Sequence, residues 1–397
     1  MRLFLFLFLP ALLWSVPLST LVEYAKQNHV SLKSIEQKVS AIDNEYEISR
    51  NFEDPTISLT LNNIQLDDVS NRSLEPMQYT AINFTQKLPY FGKRDALSNK
   101  IKATKKKVAL SLEQMKVKIV REIKITAYTI WEREEELKTI HEYMKLTKQN
   151  ISLYSAFTSN DSKSHMSIMS AEMSLSELKI KQISLESSLK GLYKKISYFS
   201  EMKVPSVEMN MELLKPLPLE EYLLQITKNV SYKIKEASLH ESKLDIKVKE
   251  LDFFSDPVLK LGYYQRQSFE DYVSIGLAFK IPLYGTQDSH LEKSKKLSLS
   301  KKNELIDYNN LLSAQISKIH ARLQSAYSIH KILMNESMLQ IQHMFELSAS
   351  EVKNGDELFI YIDVLEKKLF LEQKNITAVA LYHKNKSRLD ALIGGVK

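Results

Sequence analysis

The sequence predicts an α+β chain in which long helices of coiled-coil type are interrupted twice by a pair of short strands. Three observations carry this. Gly and Pro are scarce among the 397 residues, at 8 and 10, which argues against folds built on many tight turns and favours long helices. A strand-to-helix corner occurs twice, as Lys87-Leu88-Pro89-Tyr90-Phe91-Gly92-Lys93 and as Lys280-Ile281-Pro282-Leu283-Tyr284-Gly285. Short matches also recur across the two halves. His29-Val30-Ser31-Leu32-Lys33 matches Asn229-Val230-Ser231-Tyr232-Lys233, and Asp54-Pro55 matches Asp256-Pro257. The chain therefore reads as an internal duplication.

Residues 1–17 read as a secretory leader. One positive charge at Arg2 precedes an apolar run through Trp14 that is too short to span a membrane as a helix. No later run is long and apolar enough to cross a bilayer as a helix, so an exported chain is expected, either soluble or a β-barrel. Charged residues at 26% and hydrophobic ones at 44% exclude a disordered chain and a multispanning helical one. The net charge of +7 does not point to nucleic acid, because the lysines alternate with glutamates as on solvated helix faces. Without Cys, disulfides, thiolate metal sites and lipid attachment at an N-terminal Cys are excluded.

The first repeat, 18–204, opens with a helix from about Leu18 to Arg50, where Pro55 ends the helical pattern. Two strands, 56–63 and 78–88, follow. Ile57, Leu59 and Leu61 alternate with Ser58, Thr60 and Asn62, and Thr80, Ile82 and Phe84 share one face of the second strand. Pro89 and Gly92 turn the chain into a helical hairpin, 93–200, with a polar break at Ser155 to Ser164. Pro205, Pro216 and Pro218 mark an irregular linker, 205–218. The second repeat, 219–397, has the same plan: a helix, strands 258–265 and 272–281, the Pro282–Gly285 corner, and a hairpin, 286–393, broken near Gly355. Val273, Ile275, Leu277 and Phe279 alternate with small or polar residues.

The hairpins carry narrow seams. Val108, Leu112, Met115, Ile119, Ile123, Ala127 and Ile130 step by three or four, as do Leu305, Tyr308, Leu312, Ile316, Ile319, Leu323 and Tyr327. A helix of about 60 residues spans about 90 Å, too long for a compact globule, so it must pair with antiparallel neighbours. The four strands pose the opposite problem. Alone they leave two open edges, which invite aggregation in water and are forbidden in lipid. Copies from several chains closing one barrel remove both difficulties, and a strand count in multiples of four fits the even-numbered outer-membrane barrels. A soluble sheet packed on its own helices is the alternative.

This order of elements, with the Leu-Pro-Tyr-Phe-Gly-Lys corner, resembles the TolC-type outer-membrane efflux protein family over essentially the whole mature chain. Asp54-Pro55, then Leu61-Asn62-Asn63 and the corner, are most similar to the branch serving heavy-metal and drug efflux pumps. Gly355 followed by Tyr361-Ile362-Asp363-Val364-Leu365-Glu366 resembles that family's hairpin-tip segment, and Leu389 to Gly394 its closing helix. The resemblance implies a homotrimer with a twelve-stranded transmembrane β-barrel in the outer membrane of a Gram-negative bacterium. A tunnel of coiled-coil helices, an α-barrel, continues it across the periplasm. It implies a passive exit duct for efflux or type I secretion. The partners are a periplasmic adaptor (a membrane fusion protein), an inner-membrane pump of RND or ABC type, and outer-membrane lipid.

The resemblance also assigns residues. Asp363 and Glu366, three apart and so on one helix face, match the acids that narrow the family's closed entrance, although Glu366 stands where an Asp is often found. In a trimer they make two rings of carboxylates that attract cations. Asn160, Asp161, Gly355 and Asp356 match the hairpin tips that dock the adaptor, with Asn160 where the second half has Gly355. Separately from the resemblance, basic residues cluster after both corners (Lys93, Arg94, Lys100, Lys102, Lys105 to Lys107; Lys293, Lys295, Lys296, Lys301, Lys302); they meet anionic lipid if the corners mark the inner membrane-water boundary, or are ordinary solvated positions, two readings the sequence leaves equal. Met166, Met169 and Met173 read as a packing seam rather than a copper relay. His290, His320 and His330 read as isolated structural positions, with no metal-binding spacing. No catalytic motif or cofactor site is present. The rival from another class is a periplasmic coiled-coil scaffold or pump adaptor without a barrel.

Overall fold

Stretches free of Pro, with Gly191 inside α4 as their interior glycine, form the long helices that the periodicity predicts, and the computed structural model describes residues 15–157, 162–351 and 355–395. In order the elements are β1 (Val16–Pro17), α1 (Leu18–Asn28), α2 (Val30–Arg50), β2 (Thr56–Asn62), β3 (Tyr79–Lys87), α3 (Lys93–Phe157), α4 (Ser162–Ser200), β4 (Val207–Glu208), α5 (Leu219–Leu223), a 3₁₀ turn (Ile226–Lys228) and α6 (Val230–Leu251). They continue as β5 (Val258–Gln265), β6 (Tyr272–Ala278), α7 (Thr286–Ile332), a π-helical turn (Leu333–Ser337), α8 (Met338–Glu351) and α9 (Gly355–Leu392). The 65 residues of α3 make about 100 Å of helix. No described helix is long and apolar enough to cross a membrane.

The expected single opening helix is instead two, broken at His29. Its backbone is extended (φ −60°, ψ 125°), and its Nδ1 accepts the Ser31 N–H at 3.2 Å, doing for α2 what an N-cap side chain does. Asn229 has nearly the same backbone (φ −57°, ψ 126°) just before α6. The matched segments of the two halves are thus helix starts. Two further boundaries differ from expectation. β6 ends at Ala278, three residues before the predicted Ile281. Val16 and Pro17, assigned to the leader, pair in parallel with Val207 and Glu208 of the linker.

The chain divides into two units. One comprises Ile35–Leu112 and Ser231–Tyr308 and holds the antiparallel sheet, in strand order β2-β3-β5-β6. The register aligns Ile57, Phe84, Leu261 and Ile275 in one row and Leu59, Ile82, Tyr263 and Val273 in the next. The two-residue period puts all eight on one face. Ser58, Asn83, Gly262 and Ser274 form a row on the other. A Cβ at Gly262 would lie 2.7 Å from the Tyr264 ring and 2.8 Å from Asn83 Oδ1, so a larger residue there would displace both side chains.

The other unit comprises Met1–Ser34, Glu113–Val230 and Asn309–Lys397. Its core follows the predicted seams. Ile119, Ile123, Ala127 and Ile130 of α3 and Leu312, Ile316 and Leu323 of α7 are buried. Further along α3, Ile140 and Tyr143 pack with Ala171 and Leu178 of α4 and Tyr361 and Leu365 of α9. One ion pair is buried here, Lys384 to Glu132 at 2.7 Å. The linker is tied down by backbone carbonyls: Tyr382 Oη donates to Leu214 O at 2.5 Å and His320 Nε2 to Leu217 O at 2.8 Å. His320 is thus structural, as the sequence predicts.

Candidate functional site

The apolar sheet face has no cover among the described residues. Ile57, Leu59, Leu61, Ile82, Val273, Ile275 and Leu277 are all exposed, Ile275 to 81%. A soluble sheet packed on its own helices would bury these residues, so that alternative fails. The edge strands β2 and β6 have a neighbour on one side only.

Both corners end their strands with a left-handed glycine, Gly92 at φ 85° and Gly285 at φ 68°. Nothing lies within 4 Å of a Cβ built at Gly92, so glycine is needed there for its backbone and not for space. Each then starts a helix, with Gly92 O accepting from Ala96 N–H at 2.9 Å and Gly285 O from Ser289 N–H at 3.0 Å. Pro89 and Pro282 precede them in the two turns. The surroundings differ. At the first corner Asp256 accepts the Tyr90 N–H at 2.8 Å and pairs with Lys93 at 2.8 Å. Pro257 O takes the Leu88 N–H at 2.8 Å, and Phe254 stacks on Tyr90 at 4.5 Å. Partial burial opposes ionisation of Asp256, but the bonds from Lys93 and the Tyr90 N–H outweigh it and hold the carboxyl below its ordinary range. At the second corner Leu283 is exposed and Tyr284 is 93% exposed.

The lysines divide in the same way. After the first corner Lys100 pairs with Asp245 of α6 at 2.7 Å, Lys107 with Glu241, Lys105 with Asp43 of α2, and Lys102 sits over the Tyr46 ring at 4.9 Å. These are intramolecular ties. After the second corner, among the described residues, Lys295 pairs with Glu292 and Lys301 with Glu304 on their own helix turns, and Glu304 also pairs with Lys235 of α6. Lys293, Lys296 and Lys302 have no salt bridge among the described residues.

Asp363 and Glu366 are both exposed on α9. Asp363 pairs with Lys367 at 2.7 Å, and Glu366 accepts the Ser174 hydroxyl of α4. Asn160 and Asp161 lie outside the described residues. Gly355 and Asp356 form the first turn of α9. Met166, Met169 and Met173 correct the sequence reading: all three are exposed, as are Ile180 and Ile183 further along α4. They form a stripe on the helix without a facing partner among the described residues, because the α4 core face is the one bearing Ala171 and Leu178. Among the described residues no group of three or more His, Asp or Glu could hold a metal ion.

No protein-family model matches the sequence, and no curated protein matches it. Solved structures do match. The chain is similar to the outer membrane protein VceC of Vibrio cholerae, with a TM-score of 0.76 and 13% identity over 95% of this chain and 96% of that one. It is also similar to the Neisseria gonorrhoeae MtrE outer membrane channel, with a TM-score of 0.78 and 14% identity over 96% and 89%. The Campylobacter jejuni CmeC outer membrane channel matches with a TM-score of 0.72 and 15% identity over 95% and 85%. The chain has the fold of the TolC-type outer-membrane channels.

Proposed function

We propose that this chain is one subunit of a homotrimeric exit duct in the outer membrane of a Gram-negative bacterium. The observation that carries the reading is the exposed apolar sheet face bounded by two unpaired edges. Water penalises such a face and lipid penalises such edges. Three copies joined edge to edge, β6 of one to β2 of the next, make a closed twelve-stranded barrel with that face toward lipid. The tunnel across the periplasm is then an α-barrel of coiled-coil helices, whose partners are a periplasmic adaptor and an inner-membrane pump of RND or ABC type. Transport through this component is passive and involves no catalysis. The heavy-metal or drug branch is the one favoured by the Asp54-Pro55 and corner motifs. The similar backbones of His29 and Asn229, and of Gly92 and Gly285, support an origin by duplication.

Planar-bilayer recording of the detergent-extracted protein, with its oligomer mass measured alongside, tests this. A cation-selective channel from a three-chain particle is expected. A water-soluble particle without conductance overturns the duct and leaves a periplasmic scaffold. Within the duct, Asp363 and Glu366 form the aperture rings. Replacing both (Asp363→Ala with Glu366→Ala) raises single-channel conductance and relieves cation block, and unchanged recordings would remove that role. The tips around Asn160, Asp161, Gly355 and Asp356 dock the adaptor. Site-specific cross-linking from Asp161 and Asp356 to a co-expressed adaptor checks this, and products only from the 205–218 linker count against it.

A further inference from the structure

A cavity of about 690 Å³ in the helical unit brings Met211 of the linker beside two residues distant from it in sequence, His330 near the end of α7 and Met334 in the π-helical turn. The turn itself, Leu333–Ser337, is a wide-wound segment of the kind often found at functional sites. His330 and Met334 are four residues apart and so near one another on the helix surface. Asn375 of α9 connects them. Its Oδ1 lies 2.7 Å from His330 Nδ1 and its amide nitrogen donates to the Met334 sulfur at 3.6 Å. An amide oxygen only accepts, so His330 Nδ1 carries the proton, and in the neutral ring Nε2 holds the lone pair. A histidine whose other ring nitrogen donates to an oxygen acceptor has the orientation of a metal ligand. Thioether sulfurs are soft donors that suit a soft ion such as Cu⁺, whereas hard ions such as Mg²⁺ prefer oxygen ligands. Of the charged residues that line the cavity, Glu135 and Glu212 are acidic and Lys331 is basic.

We propose that His330, Met334 and Met211 form a binding site for one soft monovalent metal ion, Cu⁺ or Ag⁺, per chain, with Asn375 as the residue that positions both the imidazole and the sulfur. The site stands on the cavity alone and does not depend on the duct reading, since the purified chain binds the ion whether or not it conducts.

The test is titration of the purified full chain in detergent with Ag⁺, which needs no reductant, followed by calorimetry and by the methyl NMR signals of labelled methionines. Saturation at one ion per chain is expected, with the Met211 and Met334 methyl groups shifted and those of Met166, Met169 and Met173 unmoved. Met334→Leu, which keeps the side-chain volume, and His330→Ala each weaken binding at least tenfold. Asn375→Ala weakens it by about 10–100-fold, as for other residues that orient ligands. Retained helical circular dichroism separates lost ligation from lost folding. The proposal is overturned if the wild-type chain shows no stoichiometric binding. It is equally overturned if His330→Ala with Met334→Leu binds as tightly as wild type, or if the exposed α4 methionines account for the shifts.

Discussion

The two strand-to-helix corners share a backbone and differ in company. Both carry a left-handed glycine that opens a long helix. The first is completed within the chain: Asp256, Pro257 and Phe254 precede β5, and β5 is the strand paired with β3. The second follows β6, an edge strand, and its Leu283 and Tyr284 stand exposed. The sequence holds a second Asp-Pro, Asp54-Pro55, just before β2, the other edge. Asp54 is exposed and forms no salt bridge among the described residues. The chain carries two copies of one joint: the first is completed internally, whereas at the second the chain supplies Ser255 Oγ to the Lys280 N–H at 2.7 Å but, among the described residues, no counterpart of Asp256. In the proposed trimer, β2 of a neighbouring copy brings its Asp54 to the second corner as β5 brings Asp256 to the first, and Leu283 N–H takes the place of Tyr90 N–H.

The largest expected effect breaks the completed joint. Asp256→Ala removes the acceptor of a charged pair and of a backbone N–H, and destabilises the sheet unit by about 1.5–3 kcal/mol, read from denaturant unfolding of the dissociated chain. Gly92→Ala and Gly285→Ala each cost about 1–2 kcal/mol, the penalty of a left-handed conformation for an L-residue. Equal losses at both corners in the same unfolding assay show that the backbone device is shared. Acid separates the corners more gently. The Asp256 carboxyl titrates below the ordinary value of 3.8 in the folded chain, so its stabilisation is present above about pH 3.8 and is lost as pH falls through the depressed value. Asp256→Ala removes that part of the acid slope, and Asp54→Ala leaves it unchanged. The smallest effect is that of Asp54→Ala on the dissociated chain, within about 0.5 kcal/mol as for an exposed surface residue, although the same change weakens the assembled trimer.

Periodicity made much of this fold legible. Ile119, Ile123 and Ile130, with Leu312, Ile316 and Leu323, are buried where their three-and-four spacing places them, and the strand alternation correctly sorts Ile57 and Val273 onto the exposed face. Local signals were missed where the device is a side chain. His29 breaks a helix without Pro or Gly by offering its own nitrogen to Ser31, and only its match to Asn229 hinted at a shared turn. Spacing also misled. Met166, Met169 and Met173 have the period of a seam, but a period reports that a helix has an apolar stripe and not whether anything faces it. Long-range partners were beyond reach: nothing near Lys100 announces Asp245, and nothing near His330 announces Asn375.

The most direct test of the edge-to-edge closure uses the absence of Cys. A variant carrying Asp54→Cys and Leu283→Cys has no other thiol, and within a single chain the two residues flank the opposite edge strands, β2 and β6. Oxidation of this double variant in native outer membranes, read on a non-reducing gel, should give covalent dimers and a three-chain species, each single variant giving none. Monomer alone, with both thiols still titratable, would contradict a barrel closed between β6 of one copy and β2 of the next.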